Sequence, residues 1–364
     1  MQLVAYGAQD IYLTGNPQIT FFKVVYRRHT NFSMEAIEQT WNGTSSGTTA
    51  SRCTATVSRN GDLVHRMYLE LDGDPRVEDN PTAQGITDIE IEIGGQKIDK
   101  QTGQWMNVWS HLTEPNPSGH VGEAPTADAG TLFQNMSGMG GCKGQAATGK
   151  FFVPLQFWFC RNPGLALPLI ALQYHEVKVI LNHDWTQGFS ALTSNKLWAD
   201  YIYLDTDERR RFAQVSHEYL IEQVQEQSVT AAGSSDLNFN HPVKELVFCK
   251  DASDGTLQAI GSSDATYQLK LNGHDRFAAR DWRYFSRAQV WQHHSGAGGL
   301  TAGSESDGAF SDGVGVYSFA LKPEEHQPSG TCNFSKIDVG KMIFGSVVSA
   351  TPSPKITIFA VNYN

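Results

Sequence analysis

Short runs in which apolar and polar residues alternate recur along the whole chain. Four clear examples are Met67-Tyr-Leu-Glu-Leu71, Ile89-Glu-Ile-Glu-Ile93, Tyr267-Gln-Leu-Lys-Leu271 and Lys355-Ile-Thr-Ile-Phe359. A period of two residues over about five positions is typical of half-buried antiparallel strands, whose side chains point alternately to the two faces of a sheet. The pairs Gly94-Gly95 and Asn272-Gly273 follow two of these runs and predict tight turns. The pattern favours an all-β protein built from sandwiches.

The two halves of the chain repeat one order of elements. Three anchors carry the repeat: Asn60 and Asn240, each before a strand, at an offset of 180; Gly95 and Gly273, each after a strand, at 178; and Pro163 and Pro328 at 165. After the second anchor come two tryptophans, Trp105 and Trp109 in the first half and Trp282 and Trp291 in the second. Such self-similarity indicates that one structural unit occurs twice.

Gly-rich stretches follow the tryptophans in both halves, at 114–149 and 295–315. Both are predicted to be long structureless loops, and their recurrence in matching places favours a functional role. Between the halves, Asp205–Ala213 is the most charged run in the chain, and Thr206 with the acidic residues after it predicts the cap and first turn of a short linking helix. A surface turn of the first domain is the alternative. Both interpretations place the boundary near 206–216.

The expected fold is all-β, with two consecutive eight-stranded jelly-roll β-sandwiches (a double jelly roll) and short helices in the loops. A jelly roll folds one sheet over another and so protects sheet edges. A closed barrel with a ligand cavity is the competing fold. The predicted divisions are an N-terminal arm at 1–19, a first jelly-roll domain at 20–206, a linker at 207–216 and a second jelly-roll domain at 217–364.

Composition narrows the classes of function. The net charge of −10 and the isoelectric point near 5.6 argue against a basic groove that neutralises phosphates, so no direct nucleic-acid partner is expected. Five cysteines without a CxxC pair indicate reduced thiols rather than a disulfide framework or a zinc site. The start has no basic and apolar signal-peptide pattern, and no stretch reaches the ~18–20 uninterrupted apolar residues of a membrane span.

Motifs with possible chemistry are few. Gly144–Lys150 resembles a phosphate loop, but Phe151 stands where the magnesium-binding hydroxyl would be, and the following residues predict a strand instead of a helix. Three histidine motifs could suggest acid–base or metal sites: His175-Glu176, His217-Glu218 and His293-His294. None has a supporting spacing, so these histidines are expected to be satisfied by hydrogen bonds. We therefore predict no catalytic, cofactor-binding or metal-binding residue, no cofactor and no enzyme activity.

Two surface features remain. The basic clusters Tyr26–His29 and Arg209–Arg211 are expected to pair with acidic neighbours or with an adjacent subunit rather than with membrane headgroups or nucleic acid. Four segments match the glycosylation acceptor pattern, beginning at Asn31, Asn42, Asn135 and Asn333. Chance matches are common in a chain of this length, so none is assigned, although Asn135 is the one expected to be most exposed.

Longer segments resemble one family across nearly the whole chain. They are Tyr6–Phe32 (beginning Tyr-Gly-Ala-Gln-Asp-Ile-Tyr-Leu-Thr-Gly-Asn-Pro), Ser58–Leu63, Pro163–Val177, Arg211–Gln214 with His217–Glu222, and Gln327–Ser335. They closely resemble the major capsid proteins of nucleocytoplasmic large DNA viruses, most closely the algal-virus (phycodnavirus-like) branch.

The resemblance implies a structural virion protein: a double jelly roll that forms a homotrimer of pseudo-hexagonal shape and tiles an icosahedral capsid shell. Expected partners are neighbouring capsomers, minor capsid proteins and an internal viral membrane, with outer loops that bear glycans and assembly in the host cytoplasm. Two alternatives stay open from the residues themselves. One is a lectin-like tandem β-sandwich that binds carbohydrate, and the other is a sandwich enzyme such as a polysaccharide lyase or hydrolase.

Overall fold

The structure is a computed structural model that describes most of the chain. The described residues are 29–76, 80–114, 131–141, 149–251, 257–261, 264–296, 298, 312–345 and 355–364. The predicted N-terminal arm at 1–19 lies outside these residues. So do residues 144–148 of the phosphate-loop-like segment.

Strands dominate both halves of the chain. The first half contains β1 (Phe32–Gln39), β2 (Trp41–Asn42), β3 (Ser51–Thr56), β4 (Leu63–Pro75), β5 (Ile86–Ile93), β6 (Gln96–Thr102), β7 (Lys150–Pro154), β8 (Leu167–Pro168), β9 (Val177–His183) and β10 (Phe189–Leu204). The second contains β11 (Glu222–Thr230), β12 (Gly233–Leu237), β13 (Pro242–Asp251), β14 (Leu257–Gln258), β15 (Thr266–Leu271), β16 (His274–Asp275), β17 (Arg280–Asp281), β18 (Val314–Ser318), β19 (Cys332–Asn333), β20 (Gly340–Phe344) and β21 (Lys355–Tyr363). The four alternating runs lie in β4, β5, β15 and β21, so those strand predictions are confirmed.

Each half folds into two facing antiparallel sheets with the same strand order. In the first half the main strands of the two sheets run β1-β10-β4-β7 and β3-β9-β5-β6, with β8 paired to β4 and β2 to β3. In the second half they run β11-β21-β13-β18 and β12-β20-β15-β16, with β14 and β19 also paired to β13 and β17 to β15. Position for position these orders correspond, with β1 equivalent to β11, β10 to β21, β4 to β13 and β7 to β18. The predicted repeat of one strand order is therefore confirmed.

The equivalent hairpins β5–β6 and β15–β16 turn at the predicted residue pairs. Gly94 and Gly95 have φ of 61° and 83°, and Asn272 and Gly273 have φ of 52° and 80°. Two consecutive positive φ angles are what a tight hairpin turn requires, because they match the right-handed twist of the flanking strands. Gly and Asn adopt that conformation with little steric cost.

Short helices connect the strands. They are α1 (Pro81–Gly85), α2 (Gly103–Thr113), α3 (Leu132–Ser137), α4 (Trp158–Arg161), α5 (Thr206–Gln214) and α6 (Gln289–His293), with a π-helical turn at Tyr284–Ala288 directly before α6 and 3₁₀ turns at Pro163–Leu165, Trp185–Gln187 and Phe334–Lys336. Among the described residues, no helix is long and apolar enough to cross a bilayer.

Two details of the helices differ from the sequence-based expectation. The linking helix α5 exists, but its N-cap is Asp205, whose carboxylate accepts a 2.7 Å hydrogen bond from the Thr206 N–H, so Thr206 is the first helical residue and not the cap. The stretch 114–149 contains α3, which a reciprocal capping box between Thr131 and Gln134 begins. The prediction that this stretch is structureless was wrong, because the Thr-x-x-Gln signal was overlooked in its Gly-rich surroundings.

Each half has its own hydrophobic core between its two sheets. The first includes Leu69, Phe151 and Trp185, and the second includes Phe248 and Tyr267, all almost completely buried. Burial of apolar area contributes about 25 cal/mol per Å², so these cores are the main source of stability of each sandwich. A third buried cluster lies between the two halves and defines how they join.

Candidate assembly surfaces

The outward face of the sheet β11-β21-β13-β18 is covered by helix α2 of the first half. The indole rings of Trp105 and Trp109 have their centroids 5.3 Å apart, and Trp105 lies 5.0 Å from the ring of Phe359. The cluster also contains Val108 and Leu112 from α2, Val290 from α6, and Val247, Cys249, Leu257, Val314, Val316 and Val361 from the strands of the second half. We call this outward surface of the second sandwich the covered face. The two tryptophans predicted only as markers of the repeat thus join the halves.

Edge strands reinforce this contact with hydrogen bonds. The Val224 N–H on β11 donates to the Asp99 carboxylate on β6 at 3.2 Å, and the Thr102 hydroxyl donates to Glu226 at 3.0 Å. Burial raises the pKa of Asp99 to about 6, although hydrogen bonds from Gln101 and from the Val224 N–H partly offset the effect. Strand β6 of the first sandwich therefore lies along β11 of the second.

A buried ion cluster centred on Glu222 lies at the same junction. Its two carboxylate oxygens contact Arg161 Nη2 at 2.6 Å and Lys244 Nζ at 2.8 Å, and Lys244 also donates to the Pro323 carbonyl at 2.6 Å. Burial alone would raise the pKa of Glu222, but the charges of Arg161 and Lys244 outweigh burial and hold it below its usual range. Arg161 comes from the first half and Glu222 from the second, so the cluster ties them together.

A second buried cluster surrounds His294. Its Nε2 lies 2.9 Å from a Glu245 oxygen and its Nδ1 lies 3.0 Å from a Glu324 oxygen. Burial opposes the charged form, but the two carboxylates outweigh it and raise the pKa of His294 to about 9. The imidazolium is therefore charged at neutral pH. Next to it, Ser295 Oγ and the N–H groups of Gly296 and Gly298 donate to the last carbonyls of α2, those of Thr113, Leu112 and His111.

We expect the stability of the protein to fall between pH 7 and pH 9.5 because His294 loses its proton. A pKa raised from about 6.5 to about 9 gives stability that is complete below pH 6.5 and lost as the pH passes 9, with a size of about 3 kcal/mol. Thermal unfolding of wild type and His294→Gln at both pH values measures it. The variant should be less stable at pH 7 and nearly insensitive to this pH change.

Two other buried groups with shifted pKa values do not titrate between pH 7 and pH 9.5. Burial lowers the pKa of His111 to about 4, and the pKa of Asp99 is about 6, so both titrate below pH 7. Equal loss of stability in wild type and in His294→Gln between pH 7 and pH 9.5 would contradict the assignment of a charged His294.

The other predicted histidine motifs have ordinary surroundings. His293 Nδ1 donates to the Leu321 carbonyl at 3.2 Å, and His217 Nε2 donates to the Phe212 carbonyl at 2.8 Å. His217 lines an apolar groove of about 490 Å³, most of whose other lining residues lie within 167–174 and 213–221. Among the described residues, no group of three or more His, Cys, Asp or Glu side chains is arranged to hold a metal ion.

The remaining sequence motifs lie as follows. Lys150 begins β7, so the residues after the phosphate-loop-like segment form a strand, as predicted. Arg209 pairs with Asp62 at 2.9 Å and Arg211 with Glu208 at 3.6 Å, which confirms acidic partners for that basic cluster. Asn135 is exposed on α3. The described cysteines are free thiols, namely Cys53, Cys160, Cys249 and Cys332.

None of the described residues packs over the outward face of the sheet β1-β10-β4-β7 as α2 packs over the second sandwich. The residues of this outward face include Phe32 and Met34 on the edge strand β1 and an aromatic row formed by Trp198, Tyr68 and Phe152, and we call this surface the open face. The Tyr68 ring stacks on Trp198 with centroids 6.4 Å apart and lies 6.3 Å from Phe152. Phe32, Met34 and Phe152 are exposed, and Tyr68 and Trp198 are half-buried. Apolar surface of this kind on a sheet is typical of a protein contact site.

A second exposed aromatic lies on the helical segment Tyr284–His293, which comprises the π-helical turn and α6. Trp291 is 83% exposed, although Phe285 and Val290 on the same segment are buried. Tryptophan is enriched at the centres of protein interfaces because it buries a large rigid ring. This segment and the open face are the two candidate assembly surfaces.

Sequence reasoning missed the two buried ion clusters. Glu245, His294 and Glu324 lie far apart in the chain, as do Arg161, Glu222 and Lys244, so no local spacing marks either set. One signal was present: Lys244 and Glu245 are adjacent charges in the apolar run of β13. A charge inside a buried strand requires a buried partner.

Comparisons with known proteins agree with this architecture. A family model described as major capsid protein N-terminus matches residues 20–205, and one described as large eukaryotic DNA virus major capsid protein matches residues 208–364. The major capsid protein of Pyramimonas orientalis virus is 50% identical over 394 residues, covering 100% of this chain and 95% of that protein. The major capsid protein of Paramecium bursaria Chlorella virus 1 is 40% identical over 394 residues, covering 93% and 84%.

Solved structures give the same result. The crystal structure of PBCV-1 VP54, fitted into a reconstruction of the virophage Sputnik, has a TM-score of 0.78 at 32% identity and covers 95% of this chain and 96% of that chain. The Faustovirus major capsid protein has a TM-score of 0.70 at 12% identity, covering 99% and 94%, which shows a shared fold. The predicted double jelly roll is confirmed.

Proposed function

Because this chain belongs to the family of major capsid proteins of large eukaryotic DNA viruses, we propose that three copies associate into a pseudo-hexagonal capsomer that tiles an icosahedral shell. The chain is a structural protein of the virion capsid and not an enzyme. The observation that supports the trimer is the open face. Its equivalent in the second sandwich is covered by helix α2 of the same chain.

Symmetry connects this observation to a trimer. The contact within the chain joins two different surfaces, a helix on one sandwich and a sheet face on the next. Contacts between unlike surfaces produce a closed ring when the rotation closes and an open filament when it does not. Two similar sandwiches per chain and three chains give six comparable positions, which suit a hexagonal lattice.

Weak contacts between capsomers are sufficient for a shell, since the lattice multiplies them. Neighbouring capsomers, minor capsid proteins and an internal membrane are the proposed partners, and the host cytoplasm is the proposed place of assembly. The net charge of −10 supports a shell without direct nucleic-acid contacts. The stretches 114–149 and 295–315 are proposed as outer loops that carry glycans.

The proposed domain division follows the predicted one: an arm at 1–19, a first jelly-roll domain at 20–206, a linker at 207–216 and a second jelly-roll domain at 217–364. In support, the strands described before the linker pair only with one another, and so do those described after it. Helix α5 lies between the two sets.

We expect the native mass of the purified protein to be three times the chain mass of 40.1 kDa. Mass photometry and analytical ultracentrifugation at concentrations where capsids form measure it, and electron microscopy should show pseudo-hexagonal particles. A dominant monomer or dimer under these conditions would refute the trimer. A stable monomer that binds a glycan array would favour the lectin-like alternative.

A further inference from the structure

We propose that the helical segment Tyr284–His293 of one copy docks, through Trp291, on the open face of a second copy. This inference rests on the trimer proposed above and names the two surfaces that close it. The partner is a second copy of this chain, because the chain already contains a contact of the same kind.

The template is the contact between α2 and the covered face. Helix α2 follows β6, packs its two tryptophans on the outward face of the next sandwich, and excludes water from Val247, Val316 and Phe359. The helical segment Tyr284–His293 follows β17 in the second sandwich. Strands β16 and β17 together pair with the two ends of β15 as the longer β6 pairs with β5. The two helical segments therefore occupy equivalent places.

The receiving sheets correspond in register as well as in strand order. Phe359 pairs with Glu226 on one side and Val247 on the other, and Trp198 pairs with Glu38 on one side and Tyr68 on the other. Trp198 is thus the equivalent of Phe359, against which Trp105 packs at 5.0 Å. The equivalent ring in the open face has no such cover among the described residues.

Charge agrees with this placement. Glu38 on the open face is the equivalent of Glu226, which accepts a hydrogen bond from Thr102 at the start of α2. The stretch 280–293, which would reach Glu38, contains three arginines and one aspartate. Within the chain Arg283 pairs with Asp281 at 3.2 Å and Arg287 with Asp312 at 2.6 Å, so Arg280 leaves the segment with its partners at a net charge of +1. Glu38 pairs with Lys196 at 3.4 Å on the open face, and a positive segment placed beside its carboxylate favours this orientation of the two copies.

Each chain then offers one helical segment and one open face. Contacts within a chain and contacts between chains alternate around the ring, and three chains use every helical segment and every open face once. A central buried aromatic typically contributes most of the energy of such an interface. Trp291 is the single side chain with the largest expected effect.

The first test compares Trp291→Ala with Leu132→Ala, because both side chains are 83% exposed in the single chain and neither supports its core. We expect Trp291→Ala to raise the concentration of half-dissociation of the trimer by about 30-fold or more, as for an interface hot spot. Leu132→Ala should leave it unchanged. Mass photometry over a dilution series gives both values, and circular dichroism confirms the fold.

The second test depends on the proposed interface joining two different surfaces, the helical segment of one copy and the open face of another. A Trp291→Asp chain keeps its open face, and a Phe152→Asp chain keeps its helical segment, so each alone should be a monomer. Mixed in equal amounts, they retain one intact contact and should form a heterodimer but no closed trimer. A self-complementary interface would give no heterodimer.

The outcomes separate the two proposals. If the wild type is not a trimer, the proposed function fails. If the wild type is a trimer and Trp291→Ala trimerises like Leu132→Ala, the docking of Trp291 on the open face is overturned while the trimer stands. Trimers of normal stability that no longer form lattices would place Trp291 between capsomers and also overturn the inference.

Discussion

Replacing Glu222 with glutamine is expected to lower the free energy of unfolding by about 3–5 kcal/mol, the usual effect of removing one partner from a buried ion pair. The carboxylate neutralises Lys244, whose side chain is 1% exposed, and Arg161, whose guanidinium lies 5.0 Å from the Trp109 ring centroid. Without it, Lys244 stays buried with no charge partner at 2.8 Å. Urea unfolding at pH 7, followed by tryptophan fluorescence, measures the change.

Two variants make this prediction specific. Glu325→Gln removes the carboxylate of an exposed pair with Lys322 and should change stability by less than about 1 kcal/mol. Adding Lys244→Met to Glu222→Gln removes the stranded charge and should restore part of the loss. If Glu222→Gln is as stable as Glu325→Gln, the cluster does not hold the two halves together.

Truncating Trp105 to alanine is the second large effect expected, at about 3–5 kcal/mol, because a buried aromatic is replaced by a cavity. Trp105 is 2% exposed and packs on Phe359 from the other half of the chain. The loss should therefore loosen the covered face more than either core. Hydrogen exchange should increase in β13 and β21, and urea unfolding should become less cooperative.

Trp105→Phe is the matched control, since it keeps an aromatic ring in the same position and should lose less than half as much stability. A uniform increase in exchange across the first sandwich, with β21 unchanged, would show that Trp105 supports its own sandwich and not the junction.

Much of the fold could be predicted because its signals are local. Period-two runs place β4, β5, β15 and β21, and the pairs Gly94-Gly95 and Asn272-Gly273 fix the two equivalent hairpins. Repetition of such signals in the same order, at offsets of 165 to 180 residues, indicates the duplication. A local sequence pattern predicts structure well when the residues that form it contact their sequence neighbours in the folded protein.

The assembly surfaces could not be predicted in the same way. Trp105 and Trp291 stand in corresponding stretches of the sequence, yet one is buried against Phe359 and the other is exposed. Trp105 is buried because the second sandwich of the same chain packs against it. No residue next to either tryptophan in the sequence predicts this difference in burial. The same holds for His294, whose two carboxylate partners are each about 30 or more residues away.

The position of β21 has a consequence for biosynthesis. This strand lies in the interior of its sheet, between β11 and β13, and supplies Phe359 and Val361 to the covered face, yet it follows every other described strand in the sequence. At about 5–20 residues per second, roughly 10–50 s separate the synthesis of α2 from that of Val361. Throughout that interval the sheet on which Trp105 and Trp109 pack lacks its interior strand β21. Nascent chains on one polysome therefore expose this aromatic surface to each other until β21 has been synthesised, and chaperones that bind apolar surface would have their clearest target there.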